Sequence, residues 1–164
     1  MVGVLFLIGW KFLLAPQRAG NMREIKTEIQ ISSDPDKVWG ILTDLPGWAN
    51  WNPIVNKIEG DLEVGAILSI TMSDAKGNDG KSYRSVITAM DEEKRFTFIG
   101  TMMAKFIFSV ERIIELENSQ KGTLFTQREI YTGLMASIFW KKLNEYALPM
   151  LNSMNKALKD KAES

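Results

Sequence analysis

The 164-residue chain contains no cysteine and no histidine. Without cysteine there is no disulfide framework, no thiol nucleophile and no thiolate metal ligand. Without histidine there is no imidazole base, no Ser-His-Asp triad and no His-ligated zinc or iron. Catalysis, if there is any, must run on carboxylates, Lys, Tyr, Arg or ordered water. No metal site and no cofactor is expected. A charge excess is missing too, since 20 Lys+Arg balance 20 Asp+Glu. Nucleic-acid binders use a basic surplus to displace counterions, so nucleic acid is not an expected partner. What remains is 45% apolar and 24% charged, a globular composition. The length suits one domain, which buries roughly two-thirds of its unfolded surface.

A long apolar run is also lacking. Met1–Trp10 is apolar, Lys11 interrupts it, and Phe12–Ala15 resumes before Pro16. A membrane-spanning helix needs about 20 apolar residues, and this stretch is shorter. A secretory signal carries its positive charge ahead of the apolar part; here Lys11 and Arg18 lie inside and after it. Three readings stand for residues 1–21: an interfacial or partial anchor, a helix packed on the domain, or residues read through ahead of a true start at Met22. The first implies weak membrane association through residues 1–15. The basic flank would then keep the domain cytoplasmic, at the inner face of the membrane. Residues 22–164 are expected to form the folded domain.

From Arg23 to Ile31 the chain alternates, with Ile25, Thr27, Ile29 and Ile31 on one face and Glu24, Lys26, Glu28 and Gln30 on the other. That is a strand with one wet face. Ser33-Asp34-Pro35-Asp36 starts a short helix to about Asp44, with Pro in its first turn. Leu45-Pro46-Gly47 breaks it, and Trp48–Pro53 makes a second short helical turn. Strands follow at 54–59, 66–73, 82–90, 95–102, 105–116 and 123–132, joined by short polar links. Six strands without intervening helices make an antiparallel meander. The end reads as one long helix, 136–161, with Phe139, Leu143, Tyr146, Met150, Met154 and Leu158 as its apolar stripe. Pro149 lies in its middle and predicts a kink.

This order of elements carries recognisable motifs. Ile29-Gln-Ile-Ser-Ser-Asp-Pro-Asp-Lys-Val-Trp39, Trp51-Asn-Pro53 and Glu59-Gly60 with Val64-Gly65 resemble the opening of the START-like (SRPBCC) superfamily. Gly122–Gly133 resembles the penultimate strand of its polyketide cyclase/dehydrase-like branch, related to Bet v 1, and Met154–Lys159 its closing helix. The resemblance covers about residues 22–163. It implies an α+β helix-grip fold: a seven-stranded curved antiparallel sheet wrapped around a long C-terminal helix, with two short helices after the first strand. It also implies a mostly apolar cavity between sheet and helix, and one scaffold shared by carriers, receptors, chaperone activators and a few cyclases.

Apolar wall for such a cavity comes from Phe106, Phe108, Val110, Phe125, Tyr131, Met150 and Met154. The polar exceptions say more. Antiparallel pairing across the 117–124 turn sets Leu116 opposite Phe125, Ile114 opposite Gln127, Arg112 opposite Glu129 and Val110 opposite Tyr131. Arg112 shares its face with apolar residues only, so this face is the inner one. Arg112 and Glu129 are then opposite charges indoors, readable as a structural ion pair or as an anchor for a ligand's hydroxyl, carbonyl or carboxylate. The resemblance adds Trp51 and Asn52, with Trp48, at the cavity mouth. The expected ligand contacts are Trp51, Asn52, Phe108, Arg112, Gln127, Glu129, Tyr131, Met150 and Met154.

Three functions fit: a binder of a hydrophobic or amphipathic small molecule such as a lipid, isoprenoid or aromatic polyketide-like compound; a cyclase or dehydratase on a polyketide-like substrate; or a protein-binding module with a vestigial cavity. In the second, Glu129 would be the base, Arg112 the stabiliser of an enolate and Tyr131 a proton donor. The domain division yields the first prediction. Deleting residues 1–21 should leave a soluble protein with a single cooperative thermal melt; precipitation or loss of the melt would make the leader part of the core.

Overall fold

Alternation at period two makes Arg23–Ile31 strand β1, which buries Ile25, Thr27 and Ile31 and exposes Arg23, Glu24, Lys26 and Glu28. The structure, a computed structural model, describes residues 22–74, 76–102 and 104–164. The expectations for the leader therefore lie outside the described residues. Pro35 at the first helical position opens α1 (Pro35–Thr43), whose face of Val38, Trp39 and Leu42 is buried. A 3-10 turn, Pro46–Asn50, follows and buries Trp48. Then come β2 (Val55–Glu59), β3 (Ile67–Ser73), β4 (Asp79–Asp91), β5 (Arg95–Met102), β6 (Phe108–Ser119) and β7 (Gly122–Thr132). Two helices end the chain, α2 (Leu134–Ile138) and α3 (Trp140–Ala162).

All seven strands join one antiparallel sheet in the order β1-β7-β6-β5-β4-β3-β2. β2 to β7 are a meander, and β1 closes on β7, so α1 and the 3-10 turn carry the chain from one edge of the sheet to the other. Register shifts at Val55/Lys57, Thr71/Ser73 and Ile87/Ala89 interrupt the ladders of β2, β3 and β4. Each such shift bends its strand and raises its twist, which curls the sheet around α3. This is the helix-grip fold that the motifs implied.

Two apolar clusters fill the space between sheet and helices. The larger joins α1 and the 3-10 turn to the sheet and to Met154, Leu158 and Ala162 of α3. Within it Trp39 meets Phe96 edge-on at 5.9 Å, and Trp48 Nε1–H donates to the Leu42 carbonyl at 2.9 Å. The smaller cluster joins Ile25, Tyr131, Ala136, Ala147 and Leu151, with Phe108, Val110, Trp140 and Leu143 packed against it. Each fully buried Leu or Phe contributes about 1.5–3 kcal/mol, so both clusters hold α3 in place. The far end of α3 is also tied down by charge. Glu163 accepts from the Ser32 amide at 2.6 Å, and Lys159 Nζ donates to the Gln30 carbonyl at 2.6 Å.

Three sequence expectations need correction. The final helix is not continuous from Ala136: Phe139 (φ −100°, ψ 11°) leaves helical geometry and separates α2 from α3. The buried stripe of α3 runs through Ala147, Leu151, Met154, Leu158 and Ala162, while Tyr146 is exposed. Ala147 is buried with Ile25, Tyr131, Ala136 and Leu151, a place that side-chain hydropathy does not reveal. β6 begins at Phe108, and Phe106 stands in the preceding turn, 77% exposed, not on the inner wall.

The β6–β7 reversal depends on Gly122 (φ +106°). A Cβ there would stand 2.4 Å from the Ile31 carbonyl oxygen and 2.8 Å from the Ser33 amide nitrogen. Gly122→Ala should cost about 1–3 kcal/mol or more through strain and forced backbone movement. Urea denaturation measures it; an unchanged midpoint would show that this turn relaxes freely.

Candidate functional site

Alternation sends every second residue of β1, β6 and β7 inward, and the sheet register aligns them into rows. Leu116 pairs with Phe125, Ile114 with Gln127, Arg112 with Glu129 and Val110 with Tyr131, the register read from the sequence. On the other side of β7, Thr27 pairs with Gln127 and Ile25 with Glu129. Arg112, Gln127, Glu129, Tyr131 and Thr27 are all buried.

A network of hydrogen bonds and one ion pair joins the first four to α3. Arg112 Nη1 lies 3.7 Å from Glu129 Oε1. Arg112 Nη2 donates to Gln127 Oε1 and to the Met154 sulfur, the latter at 3.0 Å. Gln127 Nε2 donates to Asn155 Oδ1 and to the Leu151 carbonyl, the latter at 3.3 Å. Tyr131 donates its hydroxyl proton to Glu129 Oε2. Three polar atoms of this set are buried without a partner: Arg112 Nε, Asn155 Nδ2 and Thr27 Oγ1. Two of the three are donors, and a hydroxyl can donate as well.

The network has apolar residues on both sides. On β1, Thr27 lies between Ile25 and Ile29; on β6, Arg112 lies between Val110 and Ile114. On β7, Gln127 and Glu129 lie between Phe125 and Tyr131; on α3, Asn155 lies between Leu151 and Leu158. In each case one neighbour belongs to or packs on the larger cluster and the other on the smaller. The polar row thus divides the core. Such a setting acts on the ionisable groups. Burial pulls the Arg112 guanidinium below its ordinary range, and the Glu129 carboxylate opposes that pull. Burial, with the neighbouring Glu129 carboxylate, pushes the Tyr131 hydroxyl well above the ordinary phenol range, so it stays a proton donor.

Of the nine residues expected at the site, the structure brings together Arg112, Gln127, Glu129, Tyr131 and Met154. Phe108 joins their margin, its ring 6.2 Å from that of Tyr131. Met150 packs on the larger cluster beside Met154. Trp51 and Asn52 are not hydrogen-bonded to the row. Trp51 packs on the larger cluster with its ring 5.6 Å from Trp48, and Asn52 Oδ1 accepts from the Ile54 amide at 3.1 Å. Two members escaped the sequence reading. Thr27 was visible as the polar residue among the isoleucines of β1, and Asn155 as the polar residue four positions after Leu151 on the buried face of α3.

Two open depressions of about 410 and 430 Å³ lie on the surface, one lined by Ser32, Ser33, Asp34, Lys121 and Gly122, the other around Pro35, Glu93 and Asn118. Neither includes any of the nine residues. Among the described residues, no cluster of His, Cys, Asp or Glu could hold a metal ion, and no helix is long and apolar enough to cross a membrane.

The geometry of the pair sets a measurable coupling. Arg112→Ala strands the Glu129 carboxylate in a desolvated place and should cost about 3–5 kcal/mol. Arg112→Met combined with Glu129→Leu leaves neither charge alone and should recover much of that loss. A double-mutant cycle in urea reads the coupling; additive losses would show that the two side chains do not sense each other.

The family model described as polyketide cyclase / dehydrase and lipid transport matches residues 22–163. No curated protein matches the chain. Among solved structures, ginseng major latex-like protein 151 from Panax ginseng is 20% identical with a TM-score of 0.71, over 87% of this chain and 99% of that one. The Zhui aromatase/cyclase from a Streptomyces species is 16% identical with a TM-score of 0.66, over 87% of this chain and 94% of that one. The di-domain ARO/CYC StfQ from the steffimycin biosynthetic pathway is 12% identical with a TM-score of 0.70, over 87% of this chain but 51% of that one. The chain therefore spans about half the length of StfQ. At these identities the likeness is one of fold, whereas the family match runs from the first described residue almost to the last: the chain belongs to the polyketide cyclase/dehydrase and lipid transport family.

Proposed function

We propose that the protein binds a hydrophobic or amphipathic small molecule between the curled sheet and α3, with an oxygen acceptor of that molecule held at the polar row. The observation that supports this reading is the row itself: Arg112, Gln127, Glu129, Tyr131 and Asn155 buried between two apolar clusters, with Arg112 Nε, Asn155 Nδ2 and Thr27 Oγ1 unpartnered. A buried donor without an acceptor costs roughly 1–3 kcal/mol, so a fold that retains several gains by admitting an acceptor oxygen. A carbonyl, carboxylate or hydroxyl on an apolar body meets both demands, its oxygen at the row and its hydrocarbon against the clusters. Met154 touches Arg112 directly, and the unbranched side chains of Met150 and Met154 can repack to make room for that body.

The same groups would serve the second reading, a cyclase or dehydratase, through Glu129 as base, Arg112 as enolate stabiliser and Tyr131 as acid. The contacts favour binding. The Tyr131 hydroxyl already donates to Glu129 Oε2, so the acid and the base that a cyclase would aim at a substrate are bonded to each other.

Mass spectrometry of small molecules released from the purified protein should find a compound with an apolar body and at least one oxygen acceptor. The Arg112→Met, Glu129→Leu variant, folded by its thermal melt, should hold that compound about tenfold more weakly or worse, in keeping with a charge-assisted hydrogen bond of ~1.5–3 kcal/mol. Unchanged retention in the folded double variant would leave the row a purely structural device. Turnover of a polyketide-like substrate by the wild type, abolished by Glu129→Gln, would favour the enzyme.

A further inference from the structure

One end of the domain is apolar on the outside as well as the inside. Phe106 is 77% exposed, Leu134 63% and Ile138 62%, with Met102 and Phe139 exposed beside them in the chain. They come from two separate turns that the backbone locks together: the Leu134 amide donates to the Phe106 carbonyl at 3.1 Å, and the Met135 amide to the Ile107 carbonyl at 3.0 Å. Side chains of this size and number in one place mark an interaction surface.

The charges nearby select the partner. Segments 101–108 and 132–145 contain three lysines, Lys105, Lys141 and Lys142, against one carboxylate, Glu145, which lies 3.9 Å from Lys141. All three lysines are exposed. In a chain of no net charge, this is a local basic rim around an apolar, aromatic-bearing centre. Such a pattern suits a bilayer with anionic headgroups: Phe, Leu and Ile enter the acyl boundary while Lys stays at headgroup level. The path of the chain agrees. Residues 1–21, apolar from Met1 to Ala15 except for Lys11, join the domain at Met22. Arg23 pairs with Tyr131 in the sheet and lies 5.7 Å from the Trp140 ring, so the junction is at this same end.

We propose that this end of the domain, centred on Phe106, Leu134 and Ile138 and rimmed by Lys105, Lys141 and Lys142, docks on an anionic membrane surface. The docking is independent of what the interior binds.

Flotation of the full-length protein with phosphatidylcholine vesicles, with and without phosphatidylglycerol, tests it. The wild type should float with the anionic vesicles, less so as salt is raised, because exposed lysines are screened. Phe106→Ser with Ile138→Ser should lower the vesicle-bound partition about tenfold or more, since two large apolar contacts are lost. Lys105→Glu with Lys142→Glu should remove the preference for anionic vesicles. All four side chains are exposed, so thermal melts should match the wild type; Leu134→Ser replaces the serine pair if that pair melts early. Undiminished flotation of the folded serine variants would overturn the proposal, leaving attachment to the leader alone. So would failure of the wild type to float with either vesicle. A wild-type dimer that the serine variants convert to monomer, without effect on flotation, would also overturn it and make the patch an interface between copies.

Discussion

A desolvated guanidinium constrains the rest of this fold. Arg112 sits on the inner face of β6 with apolar residues before and after it, where an unpaired charge would cost several kcal/mol. Its compensation comes from β7, through Glu129 and Gln127, and depends on the two strands pairing in one register. A one-residue slip would send these partners to the solvent face along with every apolar neighbour. The same Gln127 then reaches α3 through Asn155 and the Leu151 carbonyl, so the position of the helix along the sheet is tied to the same charge. Apolar packing is non-directional and alone would allow a helix to shift wherever the side chains can repack. A hydrogen-bonded row does not, because each displaced partner leaves a buried group unsatisfied.

The strands were legible in the sequence because period-two alternation is local and the β6–β7 turn is short. From Leu116 and Phe125 alone the pairing of Arg112 with Glu129 follows by counting. The closing helices were less legible. Hydropathy favours Tyr146 for the buried stripe, yet Ala147 is buried and Tyr146 exposed, because the phase set by Leu151, Met154 and Leu158 puts position 147 on the inner face. Phe106 misled for a related reason: it continues the alternation of β6 but precedes the strand, in a turn whose backbone bonds go to Leu134 and Met135. Asn155 required the phase of α3 to be known first. Its partner Gln127 is 28 residues away, a contact that no local pattern encodes.

The division of the core gives the molecule two unequal ends. Beyond the row on one side, the larger cluster is braced by α1, by Trp39 against Phe96 and by Trp48 bonded to Leu42. There α3 is also fastened to the end of β1 through Lys159 and Glu163. On the other side the cluster is smaller, and the chain that covers it is α2, the break at Phe139 and the first turns of α3. Pro149 sits in this half of α3 and cannot donate to the carbonyl of Glu145, so the helix has one fewer internal bond here than its length allows.

Local opening follows the balance of buried area and hydrogen bonds, and both are lower at the smaller end. A ligand bound for the polar row in the proposed mode would therefore meet less resistance by way of α2 and the start of α3 than past Trp39 and Trp48. The exposed Leu134 and Ile138 stand on α2 itself, and the Leu134 amide bonds the turn that carries Phe106. If the outer apolar face rests on a bilayer, the weaker end of the core is the one turned toward the lipid, and an amphipathic molecule could pass from membrane to row without crossing water. The hydrophobic cost of transfer through solvent, about 0.8 kcal/mol for each methylene exposed, is then avoided. In the proposed binding mode the charge that fixes the register also marks how far inward such a molecule would travel: its oxygen would stop at Arg112 and Asn155, which carry unpartnered donors, with its hydrocarbon against the apolar clusters on either side of the row.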